Sequence, residues 1–378
     1  MINVIHAIIR DAKLRRLYLC CMRNSKDSIL HSIEEAIADI KQGKVVIVVD
    51  NEDRENEGDF ITASRNVTPE IINFMSKEGR GLICAAITPE RAQKLDLPLM
   101  VTHNTDPNKT AFTVSVDLLG NGCTTGISAH DRAKTVQSLI DPATAPRDLA
   151  RPGHIFPLIA KPEGVLRRPG HTEATIDLAR LAGFEPSGVL VEIMNEDGTM
   201  ARLPQLLEIA EKHQLKIISI EDLIAYRMQS EKLIIETERT PFPTPFGNFV
   251  CCTFKQNITG EKHFAFVLGD WNDDDAIAVR VHSGRPEKDL LEYIQHGENA
   301  SLGKGLKAIQ KEGKGILVYM HASAQSYNST AMDDRDYGTG AQIIRALGIR
   351  KMNLLTLHPV KRTALSGYGI EILNYLPF

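Results

Sequence analysis

A ten-residue acidic run, DNEDRENEGD at 50–59, follows directly on the apolar run KVVIVV at 44–49. The apolar run is short, β-branched and continuous, which predicts a buried strand that ends where the acids begin. The acidic run contains Arg54 and six carboxylates: Asp50, Glu52, Asp53, Glu55, Glu57 and Asp59. Like charges this close repel by roughly a kcal/mol per pair even in water, so a cation, basic partners or full solvation must offset them. A strand that ends in such a loop is a common way to hold Mg²⁺, although a solvated acidic loop explains the run equally well by itself.

A second segment, RRPGHTEAT at 167–175, carries complementary side chains. Arg167 and Arg168 can hold phosphate, His171 offers an imidazole, and Thr172 can cap a helix that ends before Gly183. Free N–H groups and the positive end of the helix dipole then lie beside the arginines, which favours a phosphate site. The alternative is an ordinary capped helix with a solvated arginine pair and a structural histidine.

Size, charge and cysteine content limit the class of protein. At 378 residues and 41.9 kDa the chain is long enough for two domains. A formal net charge of -4 gives no sign of a nucleic-acid or membrane-surface partner, and no run of about 20 apolar residues predicts a membrane span. The cysteines include no C-x-x-C spacing, so no disulfide framework is predicted and we expect a cytoplasmic protein.

Residues 1–26 are rich in basic residues and contain only one acid, Asp11. Their longest apolar stretch is too short for a signal core, so we expect a disordered extension or an overlong start rather than an organelle transit peptide.

Helix-like and strand-like segments alternate along the rest of the chain. The first part opens with a helix predicted at 29–42 and capped by Ser28. Further helices are predicted at 69–77, 89–95, 129–139, 172–181, 203–214 and 221–227, and further strands at 81–87, 111–117, 189–194 and 217–219. Pro241, Pro243 and Pro245 then exclude helix and cannot donate to a central sheet. We therefore predict an α+β fold in which a mixed-sheet domain at 27–229 is followed by a second, α/β domain at 230–378.

The first domain resembles 3,4-dihydroxy-2-butanone 4-phosphate synthase over about 27–229. The matching motifs are VVDNEDRENEGD, LPLMV, TTGISAHDRA, RPGHIFPL, GHTEATIDL, GVLVEI and DGTMAR, in family order. The resemblance implies a lyase of riboflavin biosynthesis that converts D-ribulose 5-phosphate to L-3,4-dihydroxy-2-butanone 4-phosphate and formate. It also implies a homodimer that uses Mg²⁺, or Mn²⁺ in its place. An ion chelated by the sugar oxygens would spread the negative charge that develops when a C1 proton is removed.

The resemblance also assigns roles to residues. Glu55 and His171 match the metal ligands, and His154 and Glu192 match the essential acid/base pair. The matched substrate-binding positions are Arg54, Glu55, Asp59, Thr125, Asp131, Arg168, Pro169, Gly170, His171, Thr172 and Glu192; Cys84 matches a further pocket position. Pro169 replaces a glycine of some members and removes one backbone N–H from the phosphate loop. Taken singly, His154 could be a turn residue and Glu192 a solvent-facing strand end. The assignment of each proton transfer stays open.

From about 232 the chain resembles GTP cyclohydrolase II in TPFGNF, AVRVHS, GKGILVY, DDRDYGTGAQIIRALGIRKMNLLT and GYGIEI. That family binds a catalytic zinc through three cysteines directly after the histidine and serine that are here His282 and Ser283. The segment that follows in this chain has no cysteine, so we expect no zinc and a degenerate domain. The alternatives are a bifunctional enzyme with GTP cyclohydrolase II activity and a non-enzymatic nucleotide- or flavin-binding regulator.

Overall fold

The computed structural model describes residues 29–52, 54–106, 108–231, 233–257, 260–321, 337–357 and 363–378. The predictions for residues 1–26, Ser28 and Asp53 therefore lie outside the described residues. The chain divides into two compact units. The first comprises the residues up to Pro162 together with Gly170–Leu223, and the second comprises Glu163–Pro169 together with Ile224–Phe378. The boundary near residue 230 stays a prediction.

The first unit contains a seven-stranded mixed sheet among its described residues. Its strands are β1 (Val46–Val49), β2 (Gly58–Ala63), β3 (Cys84–Ile87), β4 (Val116–Leu118), β5 (Leu149–Ile159), β6 (Gly188–Glu192) and β7 (Ile217–Ser219). Their order is β4-β5-β3-β6-β2-β1-β7. β1 pairs parallel to β7 and antiparallel to β2, and β6 pairs antiparallel to β2 and β3. The predicted mixed sheet is confirmed.

Helices cover this sheet. They are α1 (Ile33–Lys41), α2 (Pro69–Phe74), α3 (Pro89–Lys94), α4 (Ala129–Ile140), α5 (His171–Leu181) and α6 (Leu203–His213), and α7 (Ile220–Ser230) follows. A π-helical turn, Met75–Gly79, extends α2. Buried side chains of the strands and helices, Ile47, Phe60, Ile72 and Leu139 among them, form one apolar core.

The predicted helix starts at 29, 172 and 221 were wrong, the last by one residue, since α7 begins at Ile220. The first helix begins at Ile33, because Ser32 and Glu35 form a reciprocal capping box there: Glu35 N–H donates to Ser32 Oγ and Ser32 N–H donates to the Glu35 carboxylate. The helix predicted to begin at Thr172 begins at His171, and its N-cap is Gly170, which offers no side-chain cap. Thr172 therefore lies inside the first turn.

Two strands were missed, and the strands predicted at 81–87 and 111–117 were too long, the first being reduced to Cys84–Ile87. β2 begins within the acidic run, so the run is not one loop but a connection between antiparallel strands with Val49 opposite Gly58. β5 contains two prolines and was not expected as a strand. The strand predicted at 111–117 is reduced to Val116–Leu118, where a register shift interrupts the pairing with β5.

The second unit contains another seven-stranded sheet in its described part. Its strands are β8 (Ile234–Thr244), β9 (Gly247–Gln256), β10 (Lys262–Leu268), β11 (Ala276–Gly284), β12 (Gly315–His321), β13 (Lys351–Leu355) and β14 (Glu371–Leu376), in the order β14-β13-β11-β12-β10-β9-β8. Its helices are α8 (Pro286–His296), α9 (Ser301–Glu312) and α10 (Tyr337–Ala346). β8 contains Pro241 and Pro243, with Pro245 in the turn that follows, and lies at the edge of the sheet, where a missing N–H costs no ladder bond.

The short segment Glu163–Pro169 packs within the second unit. The Glu163 carboxylate accepts hydrogen bonds from Arg167 Nη1 (3.1 Å) and Gln256 Nε2 (2.9 Å), and the Glu163 carbonyl accepts one from Arg227 Nη1 (2.8 Å). Tyr368 donates its hydroxyl to the Leu166 carbonyl at 2.9 Å. These contacts fix the backbone just before Gly170.

Within the described residues, we find no helix with the length and apolar character needed to cross a bilayer.

Candidate active site

Asp50 organises the loop between β1 and β2. Its carboxylate accepts hydrogen bonds from Glu57 N (2.8 Å), Glu55 N (3.0 Å) and Arg54 Nη1 (2.9 Å). The Asp50 side chain is only 1% exposed, so these bonds are made away from bulk water, where they are strongest. Arg202 supports the other side of the loop by donating to the Glu55 carbonyl at 3.0 Å. The loop is thereby fixed with the Glu55 carboxylate directed toward His171.

Asp50, Glu55 and His171 form a group that could hold a metal ion. One ligand atom from each lies within 4.8 Å of the others, and this is the only group of its kind among the described residues. His171 Nε2 lies 3.2 Å from the Val48 carbonyl, and His171 Nδ1 lies 3.8 Å from Glu55 Oε2. The tautomer that donates Nε2–H to Val48 leaves the Nδ1 lone pair facing Glu55. Two carboxylates and one imidazole suit Mg²⁺ or Mn²⁺.

The electrostatics of the cluster also fit a cation. Burial raises the pKa of Asp59 to about 7, and the Asp59 Oδ1 atom is buried without a hydrogen-bond partner. Burial alone would lower the pKa of the His171 imidazole, but the neighbouring Asp59, Glu55 and Asp50 carboxylates raise it to about 9. Burial and Glu55 raise the pKa of Glu57 as well. The cluster therefore holds more carboxylates than its own basic groups neutralise, and protons or a metal ion must make up the difference.

Glu192 ends β6 beside this cluster. It lies opposite Asp59 in the pairing of β2 with β6, and its Oε2 accepts the Leu82 N–H at 3.0 Å. A Cβ at Gly81 would lie 2.7 Å from Glu192 Oε2, so only glycine fits there. Cys84 is buried in β3, and burial together with the Glu192 and Asp59 carboxylates raises the pKa of its thiol well above the usual range. Cys84 is thus a neutral thiol and not a nucleophile.

His154 lies on β5 and is held by Asp117. Its Nδ1 lies 2.6 Å from Asp117 Oδ2, and its backbone N–H donates to Asp117 Oδ1 at 2.9 Å. Gly126 closes over the pair: it has a φ of 92°, and a Cβ there would lie 2.0 Å from Asp117 Oδ2 and 2.7 Å from His154 Nδ1. This arrangement orients the ring so that Nε2 is available for proton transfer.

His154 also lines a pocket of about 240 Å³ in the first unit. The remaining lining residues are Ser76, Gly81, Leu82, Ile83, Ile127, Arg132, Gly153 and Phe156. Gly81 and Leu82 also border the Glu192 carboxylate. One short stretch of backbone thus connects the surroundings of His154 and Glu192.

Thr125 belongs to the loop before α4, and Asp131 lies in the first turn of α4. The buried Asp131 carboxylate accepts hydrogen bonds from Thr124 N (3.0 Å), Thr124 Oγ1 (2.8 Å) and Gly126 N (3.0 Å). These bonds, of which the two from Thr124 have the largest effect, lower the pKa of Asp131 to about 2. Asp131 therefore shapes the loop that carries Gly126. Thr125 is exposed. Substrate contact by either residue stays a prediction.

Five predicted phosphate-loop residues fall in different units. Gly170, His171 and Thr172 start α5 in the first unit, whereas Arg168 and Pro169 belong to the second. Their phosphate contacts stay predictions. Three polar contacts were missed: the Asp117–His154 pair, Asn108 Nδ2 donating to Glu55, and Arg202 on the loop backbone. Nothing in the sequence spacing signals these pairs, because each joins residues more than 30 positions apart.

In the second unit, α8 follows directly after His282 and Ser283, where the resemblance would place cysteines. His282 Nε2 lies 3.1 Å from Asp289 Oδ1, and Tyr319 donates its hydroxyl to Asp289 Oδ2 at 2.7 Å. The His282 and Tyr319 rings stack at 5.5 Å. This cluster is neutral or singly charged and has no thiolate, so it does not fit a zinc site of the cysteine type.

Comparisons with known proteins match both units. The family model described as 3,4-dihydroxy-2-butanone 4-phosphate synthase matches residues 34–226, and the model described as GTP cyclohydrolase II matches residues 235–331 and 322–377. The riboflavin biosynthesis protein RibBA of Cytophaga hutchinsonii is 54% identical, with 92% of each chain covered. RibBA of Aquifex aeolicus is 47% identical, with 94% of each covered.

Two solved structures are similar as well. RibBX of A. baumannii, described as a two-domain 3,4-dihydroxy-2-butanone 4-phosphate synthase, has a TM-score of 0.65 and 41% identity, covering 92% of this chain and 99% of its own. A 3,4-dihydroxy-2-butanone 4-phosphate synthase in complex with two magnesium ions has a TM-score of 0.51 and 45% identity, covering 53% of this chain and 98% of its own.

Proposed function

The chain belongs to the 3,4-dihydroxy-2-butanone 4-phosphate synthase family, and from this premise we propose that its first unit converts D-ribulose 5-phosphate to L-3,4-dihydroxy-2-butanone 4-phosphate and formate with Asp50, Glu55 and His171 at a metal site. The observation that carries the proposal is the group formed by these three ligands, whose atoms lie within 4.8 Å of one another. The reaction supplies a precursor of riboflavin.

The metal in this proposal is Mg²⁺, with Mn²⁺ as the substitute. The group fits either ion, because it offers hard carboxylate oxygens, one imidazole nitrogen and a buried carboxylate oxygen of Asp59 without a hydrogen-bond partner. When bound, the ion supplies charge stabilisation for the enediolate that forms when the sugar loses a C1 proton.

The chain's own residues bind and move protons around that ion. Arg54 holds the Asp50 and Glu55 carboxylates in place. His154, oriented by Asp117, acts as a proton shuttle at Nε2. Glu192 is the base in this proposal, since its carboxylate lies at the end of β6 opposite Asp59. The first turn of α5 and Arg168 bind the phosphate end of the sugar.

A homodimer is part of the proposal. Leu99, Met100 and Val101 are consecutive and about half exposed, and Leu82 and Ile127 beside the His154 pocket are exposed too. Exposed apolar side chains in this number favour a protein interface over a bare surface. Light scattering on the full chain should give the mass of a dimer, and Leu99→Asp should shift it toward the monomer. A monomeric wild-type chain would contradict this part.

We further propose that the second unit lacks GTP cyclohydrolase II activity. The cysteines expected after His282 and Ser283 are replaced by α8, so no thiolate is available there to hold a catalytic zinc. The bifunctional alternative requires GTP turnover by the full chain together with tightly bound zinc.

A formate assay on the full chain tests the main proposal. Ribulose 5-phosphate should yield formate, EDTA should abolish the yield, and GTP should not be consumed. Glu55→Ala should abolish formate release, because it removes a ligand that adds little to the core. Glu52→Ala is the matched control, since it removes an equal charge from an exposed position of the same loop. Near-normal turnover by Glu55→Ala would refute the assignment.

A further inference from the structure

Arg132 is a basic side chain that the proposed chemistry does not use. It lies on α4, and its Nη2 donates to Ser76 Oγ at 3.1 Å. Its Nε is buried and has no hydrogen-bond partner among the residues that the structure describes. Within the described parts of the chain Arg132 forms no ion pair. A buried N–H without an acceptor costs free energy, so its presence calls for an acceptor that comes from outside the chain.

The pocket lined by both Arg132 and His154 favours an anionic ligand. Leu82, Ile83, Ile127 and Phe156 give it apolar walls, and no Asp or Glu is among its lining residues. The neighbouring Asp131 carboxylate is occupied by Thr124 and Gly126. Burial lowers the pKa of Arg132, yet a guanidinium remains charged at neutral pH. The pocket thus offers one positive charge whose Nε is buried, which attracts a small monoanion.

We propose that this pocket is a carboxylate subsite in which Arg132, through its buried Nε, binds the formate product beside His154. The inference rests on the proposed function, which generates formate as its only small carboxylate. The guanidinium edge that carries Nε can donate to both oxygens of a carboxylate in parallel hydrogen bonds. Ser76 accepts from Nη2 of that edge at 3.1 Å, and Nη2 has a second N–H to donate. A volume of about 240 Å³ holds formate and a few water molecules without closing the path to His154.

Product inhibition by formate tests the subsite. Formation of the four-carbon phosphate is measured on the full chain with Mg²⁺ and increasing sodium formate, against sodium chloride at equal ionic strength. Arg132→Gln should raise the inhibition constant for formate about tenfold or more, the loss expected for a charged hydrogen-bonding partner. Arg132→Lys keeps the charge but loses the paired N–H donors of the guanidinium, so it should raise the inhibition constant less than Arg132→Gln does. Arg147→Gln, at an almost fully exposed arginine of the same unit, should leave the constant unchanged.

Direct binding separates this inference from the proposed function. Line broadening of ¹³C-formate on the full chain without substrate should be present in the wild type and in Arg147→Gln and be lost in Arg132→Gln. If Arg132→Gln does not fold, Ser76→Ala takes its place as the test variant. It removes the hydrogen-bond acceptor of Arg132 but not the charge, and it should weaken formate binding. Formate binding and inhibition that are unchanged in Arg132→Gln or Ser76→Ala overturn the subsite while turnover stands. A wild type that makes no formate but binds it through Arg132 overturns the proposed function and leaves a carboxylate site.

Discussion

Replacing Asp117 with Asn isolates the orientation of His154 from the rest of the site. The amide oxygen can still accept the His154 backbone N–H, which lies 2.9 Å from Oδ1. The amide nitrogen, however, then faces His154 Nδ1 at the 2.6 Å contact and donates to it. The ring must carry its proton on Nε2 instead, so Nε2 can no longer accept one. The change alters the tautomer with little change in shape.

The size of the effect follows from this contact. A hydrogen bond to a charged group contributes about 1.5–3 kcal/mol, and positioned acid/base groups contribute about 10²–10⁴ in rate. Because the His154 side chain is 43% exposed, solvent weakens the pair, so we expect an effect near the bottom of the rate range that still falls within the hydrogen-bond range. We expect kcat to fall about 30- to 100-fold, equivalent to about 2–2.7 kcal/mol, with little change in KM.

The assay is steady-state formate release at saturating ribulose 5-phosphate, with the unfolding midpoint measured in parallel. Asp197→Asn is the control, since Asp197 lies in an exposed turn and bonds only to Thr199. A kcat for Asp117→Asn within about threefold of wild type, less than ~0.7 kcal/mol, would show that the Asp117 contact does not orient a proton shuttle.

Four other perturbations test separate parts of the structure. Gly126→Ala should lower kcat by displacing the Asp117–His154 pair and cost about 1 kcal/mol of stability at a positive φ; an unchanged kcat argues against the close fit. Because neighbouring carboxylates raise the pKa of His171 to about 9, Mg²⁺ must displace the His171 proton at neutral pH. Calorimetry in buffers of different ionisation enthalpy should therefore show proton release, and the affinity for Mg²⁺ should fall by up to about tenfold per pH unit as the pH drops from 9 toward 6.5. Equal binding heats in all buffers would contradict this. Pro169→Gly restores a backbone N–H to the predicted phosphate loop and should lower the KM for ribulose 5-phosphate. An unchanged KM would show that this N–H does not contribute to substrate binding. Ser32→Ala should reduce the free energy of unfolding by about 1 kcal/mol in urea titration, and a loss below about 0.3 kcal/mol would mean that the capping box contributes little.

The local chemistry of the site could be predicted because it lies in short, dense segments. The acidic run and the GHTEAT segment each had an ordinary alternative when taken alone, and only together did they predict a charged site. The structure brings Glu55 and His171 together by placing His171 against the carbonyl of Val48, the strand residue two positions before the run. Their role as metal ligands remains a proposal.

What the sequence could not predict depends on pairing over long separations. Asp117 reaches His154 only because β4 lies antiparallel to β5 with a shifted register, and no periodicity encodes a register. The prolines were predicted to exclude helix and a central strand but did not by themselves predict β8, an edge strand that tolerates residues that cannot donate. The helix start at Ser32 was missed because Ser28 precedes an equally periodic run of isoleucines, and only the Glu35 partner distinguishes the two.

The anchoring of Glu163–Pro169 determines how this chain can be shortened. A truncation after residue 229 would delete Gln256 and Tyr368, leaving the Glu163 carboxylate with one partner fewer and the Leu166 carbonyl without its hydroxyl donor. Severing the C-terminal half would therefore release the stretch that leads into Gly170 and His171. The second unit would in this way be needed even without a reaction of its own, because it fixes the backbone that leads into the first turn of α5.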